Sequence, residues 1–351
     1  MKVTQRTLAH MDLPYSITKV PSLAVGGMPA IVVGSEGDGP LLLLRPPEYQ
    51  AEVLASAPGG FISLCHVTWA GRPFLIASTM FKPVFKAADC ALVAYPLDRG
   101  SLPVPERIGP LPYTHRLGLA EIGGRTFLLA STLCGGKDFQ EDWSKPGAIY
   151  ATAVPPFLGG GPEAWKFRLI RAGLSKNHGM DPAVLGGGRR GFLLSAHEGL
   201  FFLNLPENPF DAWECEKLAS GEYSDAVAAE WDSRAGPNVF TLSPFHGNVL
   251  SIHRRTPQGW VRETIDESIS FGHVVWSGML LGKPAVLTGW RADNKQLALY
   301  RASAEGGFTK EIVDEGAGPS QIAMVDRGKS GALIFACAHA RGEVVCYTIT
   351  A

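Results

Sequence analysis

The stretch THRLGLAEIGGRTFLLAST, residues 114–132, contains the pattern that decides the fold. A histidine near its start precedes a short run with alternating apolar residues, a Gly-Gly turn follows, and a second apolar run completes a predicted β-hairpin. Similar stretches occur at residues 62–79, 175–198, 222–246 and 270–290, with weaker copies at 20–36 and 318–339. Seven copies of one hairpin indicate an array of equal units.

The spacing of the copies predicts what kind of array they form. Their second apolar runs start at Ala30, Phe74, Phe127, Phe192, Phe240, Ala285 and Ala332. Repeats of ~40–50 residues built from short strands are typical of β-propeller blades, and the widest gap, between Phe127 and Phe192, contains insertions at 134–147 and 155–166. We therefore predict an all-β, single-domain, seven-bladed β-propeller over residues 1–351. Its blades are predicted to start near residues 22, 66, 115, 178, 225, 273 and 320, and a strand within 5–17 is predicted to complete the last blade.

Composition excludes several classes of partner. The 351 residues contain 32 Lys and Arg against 33 Asp and Glu, and no basic run stands out, so nucleic acid is not an expected partner. The apolar stretches are shorter than the ~20 residues that span a bilayer, and the N-terminus lacks the apolar region of a secretory signal. The six cysteines show no CxxC spacing, which favours free thiols in a reducing compartment. We expect a cytoplasmic protein without a membrane partner; its oligomeric state stays open.

Propeller geometry brings polar residues from several repeats to one face. The first strand of each blade lines the channel and the second runs antiparallel to it, so first-strand starts and second-strand ends meet at one mouth. The predicted first-strand starts are His66, His115, His178, Asp225 and His273. The predicted second-strand ends and their loops contribute Thr79, Lys137, Asp138, His197, Glu198, His246, Trp290 and Arg291. Six of the nine histidines fall in these two sets, which predicts a functional site at this mouth.

Metal binding is one chemistry that suits such a set. We predict His178, His197 and His246 as ligands of a divalent metal ion (Zn, Mn, Ni or Mg), because neutral imidazole is a common ligand and three histidines with an open position form a catalytic pattern. A hydrogen-bonded histidine network without metal is the alternative.

Proton transfer is the second chemistry. The candidate catalytic residues are His115, His273, Tyr113 and Lys137. The candidate substrate-binding residues are His66, Asp138, Asp225, Trp290 and Arg291. The insertion at 134–147 is interpreted either as a flap over the mouth or as a plain surface loop.

Three stretches carry a family resemblance. THRLGLAEIGGRTFLLASTLCGGKD, KNHGMDPAVLGGGRRGFLLSAHEGLF and GHVVWSGMLLGKPAVLTGW resemble the propeller domain of the fungal aldos-2-ulose dehydratases, also called pyranosone or 1,5-anhydro-D-fructose dehydratases. A weaker likeness is to the propeller-fold oligogalacturonate and ulvan lyases. These resemblances imply β-elimination on a sugar, and the dehydratase resemblance implies metal ions and a keto-sugar substrate.

Three functions are compatible with these features. The first is a metal-assisted carbohydrate lyase or dehydratase that performs β-elimination on a keto-sugar or related oxidised sugar. The second is a non-catalytic propeller that binds a sugar or a protein, and the third is a metal-dependent hydrolase or lactonase. The convergence of His178, His197 and His246 on one point is the observation that discriminates between the first two.

Overall fold

The fold is a seven-bladed β-propeller, which confirms the predicted all-β architecture. The computed structural model describes residues 1–83, 85–98, 104–231, 236–304 and 306–351. Their strands form seven four-stranded antiparallel sheets, and the first strands of neighbouring blades contact one another around the ring. Apart from strands, the described residues form four 3₁₀ turns of three residues each and no α-helix. No helical segment among them has the length and apolar character that crossing a bilayer requires.

Each blade uses four consecutive strands, except that the last blade takes its fourth from the N-terminus. The strand that precedes blade 1 is β1 (Lys2–His10). Blade 1 consists of β2 (Pro14–Val25), β3 (Met28–Ser35), β4 (Leu41–Arg45) and β5 (Gln50–Ala55). Blade 2 consists of β6 (Leu64–Trp69), β7 (Arg72–Thr79), β8 (Ala91–Pro96) and β9 (Glu106–Pro110). Blade 3 consists of β10 (Thr114–Ile122), β11 (Arg125–Thr132), β12 (Gly147–Ala153) and β13 (Arg168–Leu174). Blade 4 consists of β14 (Gly179–Leu185), β15 (Arg189–Ala196), β16 (Gly199–Asn204) and β17 (Cys215–Ala219). Blade 5 consists of β18 (Asp225–Ala229), β19 (Asn238–Ser243), β20 (Val249–Thr256) and β21 (Gly259–Asp266). Blade 6 consists of β22 (Gly272–Leu280), β23 (Lys283–Trp290), β24 (Leu297–Ala302) and β25 (Phe308–Asp314). Blade 7 contains β26 (Pro319–Asp326), β27 (Ala332–Ala338) and β28 (Glu343–Thr350).

The N-terminal strand closes the ring. Strand β1 pairs antiparallel with β28, from Lys2 opposite Thr350 to His10 opposite Glu343, and is the outer strand of blade 7. Both ends of the chain are thereby joined in one sheet, and the ladder of β28 is paired on both sides.

The predicted start of blade 1 near residue 22 is wrong. The chain reverses at Leu13, which has a φ of 44°, and β2 begins at Pro14. Because β2 has 12 residues, Ser22 lies near its far end. Strand β6 likewise begins at Leu64, so that His66 is its third residue. Ser22 Oγ and His66 Nε2 are 2.8 Å apart, which shows that both residues lie at the same level along the channel.

Local irregularities at the starts of inner strands determine which side chains reach the mouth. The register shifts by one residue across Tyr15 in β2, His115 in β10 and His273 in β22. Such a β-bulge inserts an unpaired residue and re-aims its side chain. The residue of blade 1 that corresponds to His115 is therefore Tyr15.

The hydrophobic core is divided among the blade interfaces. Seven apolar clusters each join two neighbouring blades, and an eighth lies under the loops at the mouth. The second strands are the most buried elements; every residue of β27, for example, is buried. A second strand has a strand on each side and a blade on each face, which is why its sequence is a continuous apolar run.

We predict that removing the closing strand destabilises the propeller. Deleting residues 2–10 leaves blade 7 with three strands and unpairs the backbone groups of β28 that face β1, so thermal unfolding should begin on the order of 10 °C lower. Deleting Ala351, which lies outside every strand, is the control. Equal midpoints for the two truncated proteins, measured by calorimetry, would show that closure does not depend on β1.

Candidate functional site

A pocket occupies the end of the channel where first strands begin and second strands end. Its volume is about 550 Å³. Its polar lining consists of Tyr15, Glu36, His115, Gln140, Glu141, Lys176, His246, His273, Arg291 and His339. The polar side chains come from five of the seven blades or from the loops that follow their strands, so the fold brings together residues that are far apart in the sequence.

Hydrogen bonds between neighbouring blades fix the rings of the inner histidines. His115 Nδ1 lies 2.9 Å from the carbonyl oxygen of His178, and His273 Nδ1 lies 3.1 Å from that of Ser320. His178 Nδ1 lies 3.2 Å from the carbonyl oxygen of Ser224 and 2.9 Å from Asp225 Oδ2. Because these oxygens only accept hydrogen bonds, Nδ1 carries a proton in each ring. In His115 and His273, whose pKa values burial lowers, Nε2 keeps its lone pair.

Three of the imidazoles converge. One ring nitrogen each of His178, His246 and His273 lies within 4.8 Å of the other two, and the Nε2 atoms of His178 and His246 are 3.1 Å apart. His246 follows strand β19 with a φ of 48°, a strained conformation for a residue other than glycine. This backbone conformation directs the His246 ring back over the channel, where it stacks on His273 with 5.0 Å between ring centroids.

Asp225 supports His178 rather than facing the pocket as a substrate-binding residue. It is 5% exposed, and its Oδ2 accepts hydrogen bonds from His178 Nδ1 and, at 2.9 Å, from Ser224 Oγ. Arg116 Nη2 lies 3.4 Å from Oδ1. Burial opposes ionisation of Asp225, but His178, Arg116 and Ser224 outweigh it and hold its pKa well below the usual range. A buried carboxylate behind an imidazole is a common outer partner of a metal-ligating histidine.

A second carboxyl group lies lower in the channel. Burial, together with the negative charge of Asp225, raises the pKa of Asp181 to about 7, although Arg116 acts against this shift. Asp225 is therefore the carboxylate that is fully ionised near neutral pH beneath the histidines, and Arg116 balances its charge.

The histidines of the mouth are held in their neutral form. Burial is the main cause that lowers the pKa of His115, His246 and His273 well below the usual value. Positive charge adds to the effect, from Arg116 beside His115 and from Arg291 beside His273. Neutral imidazole is the form that ligates a metal ion.

Glu36, Arg291 and His339 form a second group at the rim. Each directly follows the second strand of its blade, in blades 1, 6 and 7. Arg291 Nη1 lies 3.3 Å from His273 Nε2, and Arg291 Nη2 lies 2.9 Å from His339 Nε2. His339 Nε2 lies 3.2 Å from Glu36 Oε2. The sequence analysis identified Arg291 but missed Glu36 and His339, although each is the last residue of a weak repeat copy.

Two predicted mouth residues lie elsewhere. His197 has a side chain that is 58% exposed and pairs with Glu222 Oε2 at 2.9 Å, so it does not join His178 and His246. His273 takes the place that the sequence analysis gave to His197. His66 lines a different cleft, together with Thr68, Glu121 and Arg190, because its strand starts two residues earlier than predicted.

Four further predicted residues have local structural partners. Tyr113 packs in the apolar cluster under the mouth, and Asp138 pairs with Lys145 at 2.6 Å on the surface. Trp290 is fully buried between blades 5 and 6, and its indole Nε1 donates to Asn294 at 2.7 Å. Lys137 donates to the carbonyl oxygens of Gln140 and Asp142 at 2.7 and 2.9 Å. None of the four lines the histidine pocket.

Aromatic rings form the side of the pocket that faces the 134–147 insertion. Trp143 of this insertion contacts Phe85 and Phe245, with 5.5 Å between ring centroids in both pairs. Lys137 Nζ lies 3.4 Å from the centre of the Trp143 ring. The insertion thus contributes a wall of the pocket and is held by its own internal contacts.

Comparison with known proteins shows the fold and no more. Neither a protein-family model nor a curated protein sequence matches the chain. Among solved structures, BBS1N in complex with ARL6DN is similar at 11% identity, with a TM-score of 0.58 over 99% of this chain and 95% of that one. The β-propeller domain of Cps50 (Swd1) from Myceliophteria thermophila is 11% identical, with a TM-score of 0.59 over 99% of this chain and 100% of that one. A "putative 6-phosphogluconolactonase" from Bacteroides uniformis is 13% identical, with a TM-score of 0.52 over 91% and 87% of the two chains.

The donor set of the three converging histidines fits a divalent cation. In His178 and His273, Nδ1 is occupied by an oxygen acceptor. Nε2 of His178 faces His246, whereas Nε2 of His273 lies 3.3 Å from Arg291 Nη1, a contact that a bound cation would have to displace. Two nitrogens on one tetrahedral zinc, each ~2.0–2.1 Å from it, lie roughly 3.3 Å apart, close to the 3.1 Å between the Nε2 atoms of His178 and His246. A cation between these rings would replace one N–H···N hydrogen bond.

We predict that acid destabilises the metal-free protein through the neutral histidines. Their pKa values are lowered in the folded state, so below about pH 6.5 the unfolded chain takes up protons that the folded chain does not. Each such histidine should remove about 1.4 kcal/mol of the free energy of unfolding by pH 5.5. Denaturant unfolding with chelator present measures this loss between pH 7.5 and 5.5.

The variant His115→Gln should lose less stability over that interval than the wild type, whereas the exposed control His10→Gln should lose the same amount. An unchanged loss in His115→Gln would contradict the neutral, buried state of His115.

Proposed function

We propose that this protein is a metal-assisted carbohydrate lyase that performs β-elimination on a keto-sugar. The observation that supports the proposal best is the convergence of His178, His246 and His273, two of which have Nδ1 tied to an oxygen acceptor. These three residues would hold the cation. A divalent cation bound there would act as a Lewis acid and make a hydrogen on the carbon next to a carbonyl group easier to remove.

The remaining pocket residues suit a small polar ring. Trp143, Phe245 and Phe271 provide flat apolar surfaces, while Arg291 and Lys176 provide positive charge. The guanidinium of Arg291 can donate to a sugar oxygen that gains negative charge as the proton leaves, because it already lies beside His273. A pocket of about 550 Å³ accommodates a monosaccharide and excludes part of the surrounding water.

Hydrolysis of a sugar lactone is the second candidate. The structural similarity to the Bacteroides protein concerns a fold that hosts many activities, so it supports a sugar-related enzyme only weakly. The two reactions give different products, since elimination creates a carbon–carbon double bond conjugated to the carbonyl group and hydrolysis creates a carboxylate. Ultraviolet absorbance and acid release therefore distinguish them.

We predict that His246→Gln and His273→Gln both lose metal and activity together. Protein purified without tag or chelator and loaded with zinc should hold about one equivalent by elemental mass spectrometry. Each variant should bind zinc at least 10–100-fold more weakly and lose formation of the unsaturated product from 1,5-anhydro-D-fructose or D-glucosone.

His197→Gln is the matched control, because His197 lies on the same face but outside the cluster. It should keep both metal and activity. Full metal content in both His246→Gln and His273→Gln would contradict the proposed ligand set. Metal binding without turnover of any keto-sugar or lactone would favour the non-catalytic, ligand-binding propeller.

A further inference from the structure

Two carboxylates line the histidine pocket: Glu141 is exposed on the 134–147 insertion, whereas Glu36 is partly buried. The Glu36 side chain is 15% exposed and lines the same pocket wall as His273 and Arg291. By contrast, Asp225 lies behind His178 and is 5% exposed. Glu36 directly follows strand β3 of blade 1. Arg291 belongs to blade 6, and blade 7 lies between these two blades in the ring.

Two neighbours hold this carboxylate in place. Glu36 Oε2 lies 3.2 Å from His339 Nε2 and 3.9 Å from Arg291 Nη2. Arg291 Nη2 lies 2.9 Å from His339 Nε2 and 3.1 Å from His339 Nδ1, so the edge of the imidazole that carries both nitrogens faces the guanidinium. In the tautomer with the proton on Nε2, His339 donates to Glu36 and accepts from Arg291 at Nδ1. His339 is thus occupied on both nitrogens. We infer that Glu36 accepts the substrate proton in the proposed reaction, with His339 and Arg291 as its positioning residues.

The other pocket histidines are poorly placed for this role. His115 and His273 donate from Nδ1 to carbonyl oxygens, so protonation of Nε2 would create a buried cation without a carboxylate partner. His178 has such a partner in Asp225, but its Nε2 faces His246. Glu36 needs no such partner, since a carboxylate becomes neutral when it accepts a proton.

The position of Glu36 relative to the three metal-site histidines suits a single sugar ring. Arg291 contacts His273 through Nη1 and faces Glu36 through Nη2, so one planar guanidinium separates the carboxylate from the histidine cluster. We place the substrate over this guanidinium, with its carbonyl group toward the cluster and the neighbouring C–H bond toward Glu36.

Glu36 alone can serve as both the base and the acid of the elimination. Its carboxylate takes the proton from the carbon next to the carbonyl, and the electron pair of the broken C–H bond forms the carbon–carbon double bond. The C–O bond on the next carbon breaks, and its electron pair leaves with the hydroxyl oxygen. The Glu36 carboxyl returns its proton to that oxygen, so that water departs and the carboxylate is regenerated.

The inference rests on the proposed function, and proton abstraction can be followed separately from product formation. We propose incubating the zinc-loaded protein with 1,5-anhydro-D-fructose in D₂O and following the signal of the C–H next to the carbonyl by ¹H NMR. Glu36→Gln should slow the loss of this signal by ~10²–10⁴-fold. Its metal content and thermal unfolding midpoint should match the wild type, and Glu36→Asp should recover part of the rate.

Two further variants separate positioning from a general structural effect. His339→Gln should lower kcat by about tenfold to a hundredfold and leave KM unchanged, since it misorients the carboxylate without removing it. Glu52→Gln is the control: Glu52 lies on β5 of the same blade and pairs with Arg45 on the surface. It should leave the rate unchanged.

The outcomes distinguish the two proposals. A Glu36→Gln protein that removes the proton at the wild-type rate overturns the role of Glu36 and leaves the lyase proposal standing. A Glu36→Gln protein that loses zinc identifies Glu36 as a metal ligand and overturns its role as proton acceptor. If the wild type neither exchanges the hydrogen nor forms product with 1,5-anhydro-D-fructose or D-glucosone, the proposed function fails, and the inference fails with it.

Discussion

The site depends on the hydrogen bonds that connect one blade to the next around the channel. His115, His178 and His273 each donate from Nδ1 to a carbonyl oxygen of the following blade. Ser320 continues the series, since its hydroxyl lies 2.9 Å from the carbonyl oxygen of Tyr15 in blade 1. These bonds satisfy backbone acceptors that burial would otherwise leave unpaired. They also place a proton on Nδ1 of each ring, so that Nε2 is the nitrogen that would bind a cation in the proposed site.

This double role explains why histidine suits the inner position. A serine there can bridge two blades, as Ser320 of blade 7 does, but it offers no ring nitrogen to the channel. Where these imidazoles meet, burial and nearby positive charge lower the pKa of His246 and His273 well below the usual value. In the proposed metal site, the ionised carboxylate of Asp225 would supply one negative charge behind His178.

Much of the fold was predictable from the sequence, because the repeated hairpin carries the apolar pattern of a fully buried second strand. The same repeat pattern also revealed the insertions at 134–147 and 155–166, because they lengthen the spacing between two copies. The start of blade 1 was not, since Ser22 matched the repeat pattern better than Tyr15, and only strand pairing shows that the bulge falls at Tyr15. A β-bulge changes the side-chain register without a clear mark in the sequence.

The site was predictable in part. Alignment of the repeats brought His115, His178, His246, His273 and Arg291 to one face, because all of them flank first or second strands. The alignment misplaced His197, whose exposed ring pairs with Glu222 outside the histidine cluster. It also passed over Glu36 and His339, which end the two weakest copies of the repeat. Side-chain direction after a strand depends on the following loop, as the positive φ of His246 illustrates, and the repeat pattern does not encode that loop.

The central claim is that three imidazoles of this channel hold one cation, and X-ray absorption spectroscopy of zinc-loaded protein tests it directly. The account predicts a four-coordinate zinc with three nitrogen neighbours at about 2.0–2.1 Å and the outer-shell scattering of imidazole rings. His197→Gln should give the same spectrum, because its ring lies outside the cluster. A shell of oxygen neighbours without imidazole scattering would place the metal elsewhere and contradict the account.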